Sequence, residues 1–166
     1  MKREPFLQEC EQIKQNCEYT AEAHHIIAND SKNTANLFQI LPAVIAAVFG
    51  VLAASNVLSN WAIWLSAFSA GISVVGNILN PLKDSYDHQN AAKHFTVLKH
   101  DARALYESFG QVMDDKSFVL AVQKLHDRYN DLVSVVPPTT EEAFKKAREK
   151  IKSEVHQSDK LSVKSS

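Results

Sequence analysis

The chain has 166 residues, of which 22% are charged and 45% hydrophobic, and its formal net charge is -1. This length allows one helical hairpin and one modest helical domain, and it excludes a separate catalytic domain of ordinary size. The balanced charge provides no broad basic surface, which argues against binding of duplex nucleic acid.

The N-terminal segment, residues 1–32, predicts a helix with a narrow apolar seam. Two heptad positions recur in it and hold Phe6, Ile13, Thr20 and Ile27 in one row and Cys10, Cys17, His24 and Ser31 in the other. Cys10 and Cys17 would lie about 10 Å apart along a helix, which is too far for a disulfide. We therefore expect two reduced thiols that serve as small packing residues.

The middle of the chain lacks charge: no Asp, Glu, Lys, Arg or His occurs between Lys32 and Lys83. Two apolar stretches, residues 37–54 and 61–79, lie in this block and correspond to about 27 Å of helix each, close to the roughly 30 Å hydrocarbon core of a bilayer. The pattern predicts a transmembrane hairpin over residues 33–82. The alternative is an apolar hairpin buried in a helical bundle, which the narrow apolar stripes of the other segments disfavour.

The charges beside the hairpin predict its topology. The link between the two apolar stretches carries no Lys or Arg, whereas Lys32 and Lys83 flank the outer ends. The positive-inside rule then predicts a multi-pass membrane protein with both termini in the cytosol.

A cytosolic helical domain is predicted over residues 83–156. Pro81 disfavours helix in the preceding Asn80 and starts a helix well, so a boundary is expected there. The run Asp114-Asp115-Lys116-Ser117 predicts a turn and the N-cap of a further helix.

The last helix is predicted to follow Pro137-Pro138, because proline ends the helix before it. Thr139 and Glu142 have the spacing of a capping box. Residues 157–166 form a polar tail that we expect to be disordered. The predicted fold class is thus all-α, with a two-transmembrane hairpin and a cytosolic helical domain built from N-terminal and C-terminal helices.

A polar stripe follows the second apolar helix. Within an arc of about 80° it holds Ser66, Ser69, Ser73, Asn77 and Asn80. One interpretation is that these residues line an aqueous pore. The other is close helix packing, for which Ala67-x3-Gly71 is a suitable pattern. One hairpin cannot enclose a channel, so a pore requires a homo-oligomer joined through the heptad seams, unless the seams close a monomeric bundle.

A small basic cluster on the helix after the hairpin holds His94, Lys99, His100 and Arg103. It suits contacts with nucleotide phosphates, although a solvated helix face is the common use of such residues. None of the seven histidines lies four residues from another, so no metal site is predicted. No nucleophile, P-loop or glycine-rich dinucleotide motif occurs, and we expect a non-enzyme.

The order of these features resembles one bacterial family. An N-terminal helical arm, the hairpin, the pattern His88-x-x-Ala91-Ala92-x-x-Phe95-x-x-Leu98 and the Pro-Pro break together resemble the SLATT proteins over about residues 5–155. Phe95 departs from the tyrosine expected at that position.

The SLATT resemblance implies a membrane effector of anti-phage defence. Such an effector forms an oligomeric pore in the bacterial inner membrane when a nucleotide-linked signal changes, and growth arrest or death follows. The implied partners are the lipid bilayer, further copies of the chain and a nucleotidyltransferase, with a cyclic or linear oligonucleotide as ligand and no other cofactor. The alternatives are a holin-like lysis protein and a passive anchor or scaffold.

Overall fold

The structure is a computed structural model that describes residues 3–54 and 59–163, with side-chain surroundings given for residues 3–49, 51, 64 and 67–153. Every regular element within these residues is helical, which confirms the predicted all-α class. The helices are α1 (Glu4–Ala54), α2 (Ser59–Leu79), α3 (Pro81–Ala104), α4 (Gly110–Val112), α5 (Asp115–Val135) and α6 (Glu141–Val163), with a π-helical turn at Leu105–Phe109.

Helix α1 is one uninterrupted helix of 51 residues, where the sequence predicts an arm and a separate apolar helix. The residues between the two predicted segments include no Gly or Pro, so nothing breaks the helix there. The hydroxyl of Thr34 also has a hydrogen-bond partner within the helix, because its Oγ1 donates to the carbonyl of Asp30 at 3.0 Å. Pro42 lies within the helix without ending it.

The break between α2 and α3 lies at Asn80, which confirms the predicted boundary. Asn80 has a positive φ of 43°, a conformation that asparagine tolerates better than most residues. Its Oδ1 accepts a hydrogen bond from the amide of Lys83 at 3.3 Å, and Pro81 opens α3. Asn80, a predicted pore-lining residue, therefore caps a helix here.

The chain divides into two compact units. Unit 1 comprises residues 1–27 and 87–166, and unit 2 comprises residues 28–86. The core of unit 1 is a continuous cluster of small, aliphatic and aromatic side chains: Cys10, Ile13, Cys17, Ala21, Phe95, Leu98, Ala102, Phe118, Val122 and Leu125. Both cysteines are free and buried, as predicted.

The start of α5 agrees with the sequence-based prediction, whereas both ends of α6 differ from it. The N-cap of α5 lies in the predicted run and is Asp114, whose side chain accepts from the amides of Lys116 and Ser117. The cap of α6 is Thr140, whose Oγ1 accepts from the amide of Ala143 at 3.2 Å, and not Thr139. Helix α6 also continues to Val163, into the segment predicted to be disordered, because no Gly or Pro ends it.

Candidate functional site

Unit 2 is built on an antiparallel pairing of α1 with α2. The hydroxyl of Ser69 donates to the carbonyl of Pro42 at 3.3 Å, and Gly76 faces Phe38 further along. A Cβ added to Gly76 would lie 2.9 Å from the Cβ of Phe38, so the helices approach too closely for any larger residue. A tight helical hairpin is therefore present where the sequence predicts one.

Polar contacts continue the pairing between α1 and α3 in the same unit. The buried hydroxyl of Ser85 donates to the carbonyl of Ala28 at 2.7 Å. The hydroxyl of Ser31 donates to the carboxylate of Asp84. Both bonds join residues more than fifty positions apart, so they hold the base of the hairpin in one register.

The predicted pore stripe faces α1. Ser69 bonds to α1 as described, Ser73 donates to the carbonyl of Ser69 at 3.2 Å, and Asn77 and Asn80 line a groove of about 330 Å³ within the hairpin. The side chain of Ser66 lies outside the described residues. Ser69 thus serves helix packing in this structure, whereas Asn77 and Asn80 are exposed, and pore lining stays a prediction.

The outer face of the hairpin is apolar and exposed. On α1 the exposed row, spaced alternately four and three residues apart, is Leu37, Leu41, Val44, Val48 and Val51. On α2 a second row with the same spacing is Trp64, Phe68, Gly71, Val75 and Ile78. We call these two rows together the outer face. This spacing is that of helices that pack against other helices.

The predicted membrane location is wrong. In the part of the chain that the structure describes, no helix is long and apolar enough to cross a membrane. The prediction of two spans, and with them of a multi-pass inner-membrane protein with cytosolic termini, is based on the length of two apolar stretches and on the absence of charge between Lys32 and Lys83. Gln39 in the first stretch, and Ser69, Ser73 and Asn77 in the second, give these helices polar positions.

The predicted nucleotide contacts are not brought together as one cationic site. Lys99 Nζ lies 3.7 Å from a carboxylate oxygen of Glu18, and Arg103 Nε lies 2.7 Å from Glu107, an ion pair that raises the pKa of Arg103. Exposed His94 and His100 lie about 120° apart around α3. Two of the four groups already have carboxylate partners, and nucleotide binding by this cluster stays a prediction.

The most unusual polar contact joins two buried histidines, which no sequence pattern predicts to be in contact. His24 of α1 and His88 of α3 have their Nδ1 atoms 2.8 Å apart, and His24 is fully buried. The ring of Phe95 stacks on His24 with centroids 5.6 Å apart. The sequence contained one indication of this contact. His24 lies in the apolar seam, and a buried polar side chain there needs a hydrogen-bond partner.

The environment of His24 determines its protonation. Burial, reinforced by His88 and His25, lowers the pKa of His24 from 6.5 to about 4. Among the described residues its Nε2 has no hydrogen-bond partner. The favoured arrangement is therefore a neutral His24 that donates from Nδ1 to Nδ1 of His88, because the opposite tautomer buries an unpaired N–H.

Comparison with protein-family models, characterised proteins and solved structures finds no match to this chain. The SLATT resemblance therefore rests on the sequence pattern described above.

Proposed function

We propose that this chain is a non-enzymatic assembly protein in which the outer face of unit 2 binds the outer face of a second copy. The observation that carries the proposal is the exposed apolar surface of the hairpin, where Trp64 and Ile78 are both 76% exposed. Monomeric proteins rarely expose apolar patches of more than a few hundred Å². The function of unit 2 is then to join chains.

The size of the outer face supports a stable contact. At roughly 100 Å² for each large exposed side chain, its two rows offer about the 800 Å² that each partner buries in a standard interface. Their alternating spacing suits knobs-into-holes packing against a further helix. Residues 33–82 carry no charged side chain that would have to be desolvated or matched in such a contact.

A second copy is the occupant that fits this chemistry. An uncharged apolar surface is complementary to itself, and every copy presents the same two rows. A two-fold axis then lets each row pack against its equivalent in the partner, as in most homodimers. The heptad seams of unit 1 are not needed for this contact, because Cys10, Ile13 and Cys17 already face the interior of their own unit.

Sedimentation velocity over a range of protein concentrations tests the proposal. We expect the wild type to form dimers or larger species at about 10 μM, and the double variant V44E/V48E to be monomeric, because two carboxylates cannot enter an apolar interface unpaired. The matched control L120E/V133E changes two comparably exposed apolar residues of unit 1 and should assemble like the wild type.

Two results would contradict self-assembly. One is a wild-type chain that stays monomeric at every concentration, and the other is an equal effect of the two double variants. Binding of the wild type to phospholipid vesicles with no self-association in solution would also overturn the proposal.

The SLATT resemblance supports a biological setting for the assembly. We propose that the assembled chain acts in anti-phage defence together with a nucleotidyltransferase that supplies the signal. Phage plaque counts on bacteria that express the chain with its neighbouring gene test this: V44E/V48E should remove protection, and L120E/V133E should keep it. Unchanged plaque counts for the wild type would contradict the defence role and leave the assembly test unaffected. A pore through the inner membrane is not part of the proposal.

A further inference from the structure

Unit 1 contains a cavity of about 590 Å³ between α1, α5 and α6. Its lining includes aromatic rings from all three helices and two cations from α6. Binding sites for small molecules commonly enclose about 300–1,000 Å³. The cavity is therefore large enough for one small ligand.

The charged side chains that the structure describes at this cavity are both cations. Arg148 and Lys152 lie on successive turns of α6, four residues apart, so both side chains project from the same face. None of the described residues that line the cavity is an Asp or a Glu. Among the side chains that the structure describes, neither cation has an ion pair, whereas Lys150 of the same helix pairs with Glu22 at 2.6 Å. This end of the cavity suits an anion.

The uncharged side chains that line the cavity are suited to binding a flat ring. Tyr19 comes from α1, Tyr129 from α5 and Phe144 from α6, so three aromatic side chains border one space. Asn16 lies beside the hydroxyl of Tyr129, and burial raises the pKa of that phenol, which therefore stays neutral. Aromatic side chains bind planar rings by stacking, and an amide adds a hydrogen bond at the ring edge.

We propose that this cavity binds a small planar aromatic anion. Its ring lies against Tyr19, Tyr129 and Phe144. Arg148 and Lys152 bind its phosphate or carboxylate group. This site is separate from the cluster on α3 that the sequence suggests for nucleotide contacts, and the inference does not rest on the assembly of unit 2.

Isothermal titration calorimetry with four probes tests the chemistry. Phenyl phosphate and adenosine monophosphate carry both a ring and an anionic group, adenosine carries only the ring system, and inorganic phosphate carries only the charge. We expect the two aromatic phosphates to bind at least about 10-fold more tightly than the other two. Tighter binding of adenosine monophosphate than of phenyl phosphate would identify a nucleotide as the natural class, and the reverse a non-nucleotide aromatic anion.

Charge variants locate the binding. R148Q/K152Q should weaken binding of both aromatic phosphates about 10- to 100-fold, whereas K124Q/K145Q, which removes two exposed cations outside the cavity, should change it less than about 2-fold. Glutamine is a good helix former, and circular dichroism checks that both variants are folded. The proposal is overturned if neither aromatic phosphate binds at up to about 10 mM, if inorganic phosphate binds as tightly as they do, or if the two double variants weaken binding equally.

Discussion

The Nδ1 atoms of His24 and His88 lie 2.8 Å apart although the two residues are 64 positions apart in the chain. One of these nitrogens must donate and the other accept, so the contact exists only while at least one of the rings is neutral. Because His24 is fully buried and stacked on Phe95, a proton added to it gains no hydration. The pair therefore makes the stability of unit 1 depend on pH.

Acidification should destabilise the fold well above the range in which carboxylates titrate. The pKa of His24 is about 4 in the folded chain and about 6.5 when unfolded, so the unfolded state binds the extra proton and folding is weakened as pH falls from 6.5 towards 4. We expect the free energy of unfolding to fall by about 2 kcal/mol between pH 7.5 and pH 5. Urea unfolding followed by circular dichroism measures this difference.

Two variants identify the source of the pH dependence. H24F/H88L removes both imidazoles and should flatten the profile between pH 7.5 and pH 5. His100→Gln, which removes an exposed histidine outside this pair, is the matched control. A profile that H24F/H88L does not alter would show that other groups cause the effect.

Gly76→Ala should destabilise the hairpin. The new Cβ would meet the Cβ of Phe38 at 2.9 Å, so α1 and α2 would have to move apart, and we expect a loss of about 1–3 kcal/mol in thermal or urea unfolding. Gly71→Ala is the matched control on the same helix, where within one chain the new Cβ meets nothing within 4 Å, and both substitutions are measured in the V44E/V48E background that keeps the chain monomeric. It should stabilise the helix by up to about 1 kcal/mol. Equal effects of the two substitutions would contradict the close approach at Gly76.

Thr140→Ala should lower stability by about 1 kcal/mol, because it removes the hydroxyl that accepts from the amide of Ala143 at the start of α6. Thr139→Ala, one residue earlier, should be close to neutral. Differential scanning calorimetry of the two variants measures the difference. A larger effect of Thr139→Ala would restore the capping box that the sequence predicts.

The two thiols should react only when the protein unfolds. Burial raises the pKa of Cys10 to about 11 and that of Cys17 to about 12, so almost no thiolate is present at pH 8. We expect the rate of modification by a disulfide reagent to follow the unfolded fraction as urea is raised. A cysteine introduced at the exposed position Gln123 should react at once in the native state. Equally fast native modification of Cys10 or Cys17 would contradict their burial.

The polar stripe of α2 and its glycines show which features of helix packing the sequence does not predict. The polar stripe from Ser66 to Asn80 follows from the helical period, but whether it faces a pore or the neighbouring helix depends on how α1 and α2 pack, and in the structure Ser69 bonds to α1. The pattern Ala67-x3-Gly71 indicates a close packing site, yet both residues are exposed and Gly76 makes the close contact. Spacing along one helix does not reveal which face another helix covers.

The sequence by itself determined the helical class, the break at Asn80-Pro81, the cap at Asp114 and the seam through Cys10 and Cys17, because each depends on residues within a few positions of one another. Only the tertiary structure decided that His24 meets His88, that Gly76 meets Phe38, and that rings from three helices border one cavity. These contacts join residues dozens of positions apart, and their geometry follows from the packing of whole helices, which no local pattern encodes.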